Sequence, residues 1–194
     1  MSVYDPLGIL APFTMQAKLL MQDIWRSGIK WDMKIRDEEF ESWKRWLKNL
    51  HEIRKFRIPR CFMPKGANVL STQLHVFCDA SLQAYSAVAY LRIVDLEEKA
   101  HLSLVMSKTR VAPVKPMTVP RLELQAALLA ARMAKTINDE IDISIVERTF
   151  WSDSTTVLQW IRSDPRSKQI FVANRLSEIH DLTRNTEWRW VRLK

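Results

Sequence analysis

The stretch Leu74-His-Val-Phe-Cys-Asp-Ala-Ser81 is an apolar run that gives way, at Asp79, to small and polar residues. Such a run, rich in β-branched and aromatic side chains and followed by turn formers, predicts a strand. Phe150-Trp-Ser-Asp-Ser-Thr155 repeats the situation, with Asp153 closing an apolar run over 145–151. Ala84 to Ile93 and His101 to Ser107 read as further strands, and Glu187 to Val191 as a fifth. Between them Pro120 to Ile137 is rich in alanine and leucine and predicts a helix, with Pro120 in its first turn, where the missing N–H costs nothing. A second helix is expected from Ser154 to about Arg162, and a third before the last strand. The order strand, strand, strand, helix, strand, helix, helix, strand describes an α/β fold: a mixed five-stranded sheet made of a three-strand meander followed by parallel strands joined by helices.

The first third has a different rhythm. Phe13, Ala17, Leu20 and Ile24 form one helical stripe, and Phe40, Trp43, Trp46, Leu47 and Leu50 form another, with Asp37 as the expected cap. Trp25, Trp31, Trp43 and Trp46 are expected in the core of this helical part, because tryptophan at helical spacing supplies large apolar area to bury. Pro59, Pro64 and Gly66 punctuate the sequence as a linker would. The expected division is therefore a mainly helical segment over 1–68 and a sheet domain over 69–194.

Composition narrows the function classes. With 47% hydrophobic and 27% charged residues the 194-residue chain has globular averages, not those of disorder or low complexity. Its three glycines, Gly8, Gly28 and Gly66, build no phosphate-cradling loop. Cys61 and Cys78 are too few for a disulfide framework and have no neighbour at metal-ligand spacing. Cys78 is expected to be buried as a small apolar residue, and the four scattered histidines to be ordinary strand or surface residues. There is no apolar run to span a membrane and no secretory leader pattern, so the expected location is intracellular, cytoplasmic or nuclear, with no membrane partner. A net charge of +8 points to a polyanion. The excess is concentrated in two stretches. Lys44 to Lys65 holds eight bases against the single acid Glu52, and Lys108 to Arg121 holds Lys108, Arg110, Lys115 and Arg121 with no acid. Those four are candidate nucleic-acid contacts, although a solvated basic face would look the same.

Three carboxylates occupy places where chemistry could sit. Asp79 and Asp153 leave strand ends where a mixed sheet changes order, the position of a binding crevice. Glu123 lies in the expected first turn of the long helix, and Ala126, Ala127, Ala130 and Ala134 follow it on one face, which lets the helix approach the sheet closely. Clustered carboxylates raise one another's pKa unless a cation sits between them. Magnesium takes oxygen ligands and keeps positions for water and phosphate, and two such ions about 4 Å apart can activate water and stabilise the leaving oxygen of a phosphodiester. Taken singly, each acid could equally be a turn, cap or helix-dipole residue.

Several motifs in fixed order resemble a known family. Leu74-His-Val-Phe-Cys-Asp-Ala-Ser81, Ala84-Tyr-Ser-Ala-Val-Ala-Tyr90, Ser107-Lys-Thr-Arg-Val-Ala-Pro113, Val119-Pro-Arg-Leu-Glu-Leu-Gln-Ala-Ala127 and Phe150-Trp-Ser-Asp-Ser154 are similar to the ribonuclease H segment of BEL/Pao retrotransposon polyproteins. Ser2-Val-Tyr-Asp-Pro-Leu-Gly-Ile-Leu-Ala-Pro12 and the helical stretch through Ile58-Pro-Arg60 resemble the thumb- or connection-like region after the reverse transcriptase palm in the same polyproteins. The resemblance implies a ribonuclease H-like fold over 69–194. It also implies that Asp79, Glu123 and Asp153 are the first three catalytic, metal-binding acids, with Mg2+ or Mn2+ as cofactor. The family's fourth acid follows a run like Trp188-Arg-Trp-Val-Arg-Leu-Lys194, and no residue here takes its place. Two ions are therefore expected only if that acid is supplied, and the domain is expected to be cut short at its C-terminal end.

The implied function is two-metal hydrolysis of the RNA strand of RNA/DNA hybrids within a reverse transcriptase polyprotein, with the upstream palm and downstream domains as partners. One alternative is a nucleic-acid-binding fragment without catalysis. Another is an aspartic-type retrotransposon peptidase, a label sometimes given to such segments, but the Asp-Thr-Gly or Asp-Ser-Gly turns of that chemistry are absent from the sequence.

Overall fold

The computed structural model describes residues 3–59, 61–63 and 68–192. Of the expected linker, Pro59 is described, while Arg60, Pro64, Lys65, Gly66 and Ala67 lie outside the described residues, as do Leu193 and Lys194. Two helices, α1 (Ala11–Arg26) and α2 (Asp37–Leu50), come first. They are followed by β1 (Val69–Ala80), β2 (Ala84–Asp95), β3 (Ala100–Val111), α3 (Val119–Glu140), β4 (Glu147–Ser152), α4 (Thr155–Ile161), α5 (Ile170–Leu182) and β5 (Trp188–Trp190). The sheet has the order β3-β2-β1-β4-β5. β1, β2 and β3 pair antiparallel, while β4 lies parallel to β1 and β5 parallel to β4. The mixed five-stranded α/β architecture expected from the motifs is the one observed.

Strand alternation decides what the sheet buries. On β1, Leu74, Val76 and Cys78 point inward, and on β2 Ala87, Ala89, Leu91 and Ile93 do the same. Against them lies α3, whose Ala126, Ala127, Ala130 and Ala134 are all fully buried. The alanine face thus does what its spacing predicts: without bulky side chains the helix axis settles close to β1 and β2. Phe150 and Trp188 extend the same core across to β4 and β5, their rings stacked at 4.7 Å. Burial of rings of this size is among the larger single contributions to the stability of such a domain.

The N-terminal segment is anchored to β3. The Asp5 carboxylate accepts hydrogen bonds from the backbone N–H groups of Ile9 and Leu10, both at 2.9 Å, holding a turn before α1. Gly8 adopts φ +69°, and a Cβ there would sit 1.7 Å from the Ser107 carbonyl oxygen, so only glycine allows this approach. Ser107 fixes the contact by donating its N–H to the Leu7 carbonyl (2.8 Å) and its hydroxyl to the Gly8 carbonyl (2.9 Å). At the far end of the helix the Gln22 amide donates to the Ala112 carbonyl.

Three local expectations are corrected. The tryptophans of the helical part are not its core: Trp31 is 88% and Trp25 57% exposed, Trp43 is also exposed, and Trp46 is half-buried, stacked between Phe13 and Trp43. Helical spacing reports which side chains share a face, not whether a partner covers it. α1 and α2 meet along one seam, where the Trp46 indole donates to the Phe13 carbonyl, and on α1 the buried positions are Ala11 and Met15. The cap of α2 is Arg36, not Asp37, which is already the first helical residue. The Arg36 guanidinium pairs with Glu39, which also accepts the Arg36 N–H. Finally, α3 begins at Val119, so Glu123 stands in its second turn rather than its first.

Candidate active site

The three acids converge at one end of the sheet. Asp79 is the penultimate residue of β1, and alternation turns it away from Cys78, onto the face opposite α3, where it is exposed. Its Oδ1 accepts the N–H of Ala80 at 2.6 Å. Asp153 follows β4 directly, on the strand parallel and adjacent to β1. Its carbonyl accepts the indole N–H of Trp190 at 3.1 Å, which ties β5 to this corner. Glu123 arrives from α3 and is half-buried, its Oε2 accepting the Ser154 hydroxyl at 2.6 Å. The same hydroxyl accepts the Val157 N–H at 3.2 Å and so caps α4. Ser154 therefore links the acid on α3 to the helix that begins beside Asp153.

Electrostatics agree with this convergence. Burial, and then the charge of Asp79, push the Asp153 carboxyl above the ordinary aspartate range. Burial pushes the Cys78 thiol up to about 12, and the nearby charges of Asp79, Asp153 and Glu123 add to the shift, so one side chain senses all three acids. Asp153 Oδ1 is buried with no hydrogen-bond partner. A buried carboxylate oxygen without a donor beside a second carboxylate is the environment that a hard cation relieves. By this measure Asp153 and Asp79 fit a divalent ion. Among the described residues, however, no three His, Cys, Asp or Glu side chains stand together as a ready ligand group; Glu123 accepts from Ser154 and Asp79 from the backbone.

The four candidate phosphate contacts are dispersed around this corner. Lys108 and Arg110 are exposed near the end of β3, on the α3 side of the sheet, and Lys115 is exposed in the connection to α3. Arg121 lies two residues before Glu123, donates to the Gln169 side chain at 2.8 Å and faces the Phe171 ring. It thereby joins the start of α3 to the start of α5. On the other side of Asp79 a cleft of about 540 Å³ separates the sheet from α1, with Gln16, Ser81, Ser86 and Thr109 among its walls. Sequence reasoning missed Ser154 as a partner of Glu123, although a serine right after Asp153 and before a helix carries a capping signal. It also missed Arg132 and Arg175, which lie outside the two basic stretches and come together only in the folded chain.

Residues 1–154 match the family described as the Pao retrotransposon-like RNaseH-like domain. None of the curated proteins compared matches the chain. Among solved structures it is similar to RNase H1 from the halophilic archaeon Halobacterium salinarum NRC-1, with 13% identity, 62% of this chain and 85% of that one covered, and a TM-score of 0.36. LC11-RNase H1, solved in complex with an RNA/DNA hybrid, gives 13% identity, the same coverages and a TM-score of 0.40. The foamy viral protease-reverse transcriptase, solved in complex with dsDNA, covers all of this chain with 40% of its own length, at 11% identity and a TM-score of 0.43.

Proposed function

The chain belongs to the Pao retrotransposon-like RNaseH-like domain family, and from that premise we propose that it is a divalent-metal-dependent nuclease acting on the RNA strand of RNA/DNA hybrids. The observation that carries the proposal is the partnerless buried oxygen of Asp153 beside Asp79, at the corner that Glu123 also reaches. Asp79 and Asp153 would hold magnesium or manganese, with Glu123 as a further ligand on giving up the Ser154 hydroxyl. The bound metal would supply a water nucleophile and stabilise charge on the leaving oxygen.

The rest falls to the protein. Trp190 fixes the backbone of Asp153, Ser154 sets the direction of Glu123, and Cys78, buried within reach of all three charges, stays a neutral thiol. Lys108, Arg110, Lys115 and Arg121 would contact phosphates, giving an affinity that falls steeply with salt. The 2′-hydroxyl distinguishes the strand to be cut. A reverse transcriptase polyprotein is the setting proposed, with palm and further domains as covalent partners. A second reading, nucleic-acid binding without catalysis, is favoured by the present engagement of Glu123 and Asp79 with other groups.

Cleavage of an end-labelled hybrid in magnesium separates the two. The nuclease reading expects RNA cleavage by the native chain and its loss in Asp79→Asn, whereas a chain that binds the hybrid and never cuts it supports the second reading.

A further inference from the structure

A polar cavity of about 350 Å³ opens between α3, α5 and the paired residues Tyr85 of β2 and Arg110 of β3. Three guanidinium groups line it, from Arg110, Arg132 and Arg175, against one carboxylate, Glu178. That carboxylate is already committed, since Arg132 donates to it in a fork at 2.6 and 2.7 Å. Arg175 lies flat on the Phe171 ring, 3.6 Å from its centroid, and donates one terminal nitrogen to the Phe171 carbonyl at 3.0 Å. Its Nε is buried and has no partner. Burial, and then the charge of Arg132, hold the guanidinium below its ordinary value. Arg110 stands exposed at the rim and makes no hydrogen bond or ion pair among the described residues.

Three guanidinium charges therefore share one cavity with a single carboxylate, leaving an excess of positive charge, and one of them carries an unsatisfied buried donor. A guanidinium's planar fork matches phosphate oxygens, and Gln125, Asn174 and Tyr85 add neutral donors around the same space. We propose that the Arg110–Arg132–Arg175 cavity binds a phosphate group of the nucleic-acid backbone, as a contact separate from the carboxylate site. This inference rests on the nuclease reading for its source of phosphate. Arg132 stands nine positions after Glu123 on α3, about 14 Å along the helix axis, or on the order of four base-pair steps of a duplex. The cavity would thus hold the duplex at a fixed distance from the point of cleavage and set its register.

The test is fluorescence anisotropy of a labelled RNA/DNA hybrid, without divalent ions, across a series of salt concentrations, for the native chain, Arg175→Gln and Arg110→Gln. Each variant is expected to weaken binding and to flatten the plot of log affinity against log salt by about 0.9, the contribution of one phosphate contact. Arg110→Gln, at an exposed strand position, keeps the test sound should Arg175→Gln disturb the α5 packing. Native slopes in both variants overturn the inference while leaving hybrid cleavage by the native chain to support the nuclease reading independently. A calorimetric titration with inorganic phosphate distinguishes the source. Saturable binding that Arg175→Gln abolishes, with the hybrid slope unchanged, overturns the nucleic-acid source. Absence of hybrid binding by the native chain overturns both readings.

Discussion

Replacing Asp153 by asparagine should stabilise the metal-free protein. Asp153 Oδ1 is buried without a donor, and the carboxylate also faces the charge of Asp79. An unsatisfied buried polar group costs about 1–3 kcal/mol, more when charged. Asparagine keeps the shape, removes the charge and relieves the repulsion, so the metal-free variant should gain about 1 kcal/mol, or about 2–4 °C in Tm for a chain of this size. In magnesium the order should reverse. A ligand present at about one hundred times its Kd adds about 2.7 kcal/mol to a protein that binds it only when folded. The native chain should show that gain and Asp153→Asn should lose most of it. Urea unfolding with and without magnesium measures both differences. A variant less stable than the native chain without metal, or equally stabilised by metal, would refute the account of this corner.

Other outcomes follow from the same structure. Gly8→Ala must place a Cβ against the Ser107 carbonyl and give a β-carbon a positive φ, so it should cost about 2–4 kcal/mol and release the N-terminal segment from β3, read by urea unfolding and limited proteolysis near α1. Trp188→Ala removes a fully buried indole that stacks on Phe150 and donates to the Thr183 hydroxyl at 2.9 Å; a loss of about 3–5 kcal/mol is expected in chemical denaturation. The His101 ring, hydrogen-bonded at 3.0 Å, is the main cause holding the Asp95 carboxylate below its ordinary 3.8. Because the folded pKa is depressed, this contribution is present above that value and lost as pH falls through the folded one. Asp95→Asn should accordingly flatten the acid limb of the stability profile, and an unchanged limb would contradict the assignment.

Much of this architecture is legible in the sequence because the sheet domain obeys periodicities with one partner each. The alternation of Leu74, Val76 and Cys78 and the alanine face of α3 specify each other: small helix residues need a flat, close surface, and these strands supply it. The positions of Asp79 and Asp153 at strand ends follow from the same runs. Trp25 and Trp31 could not be placed that way, since helical spacing says nothing about whether a neighbour covers a side chain. Nor does spacing reveal that Ser154 would meet Glu123 across 31 positions, or that Arg132 and Arg175 would share a cavity. Those contacts depend on how α3, α4 and α5 pack, which no local pattern encodes.

The function proposed for Asp79, Glu123 and Asp153 is metal-dependent cutting of RNA opposite DNA. The measurement that tests it most directly follows a hybrid labelled separately on each strand, incubated in magnesium with the native chain, Asp79→Asn and Asp153→Asn. Magnesium-dependent fragments are expected from the RNA strand alone, lost with chelator and in both variants. Undiminished RNA cleavage in both variants, or equal cutting of the two strands, would contradict it.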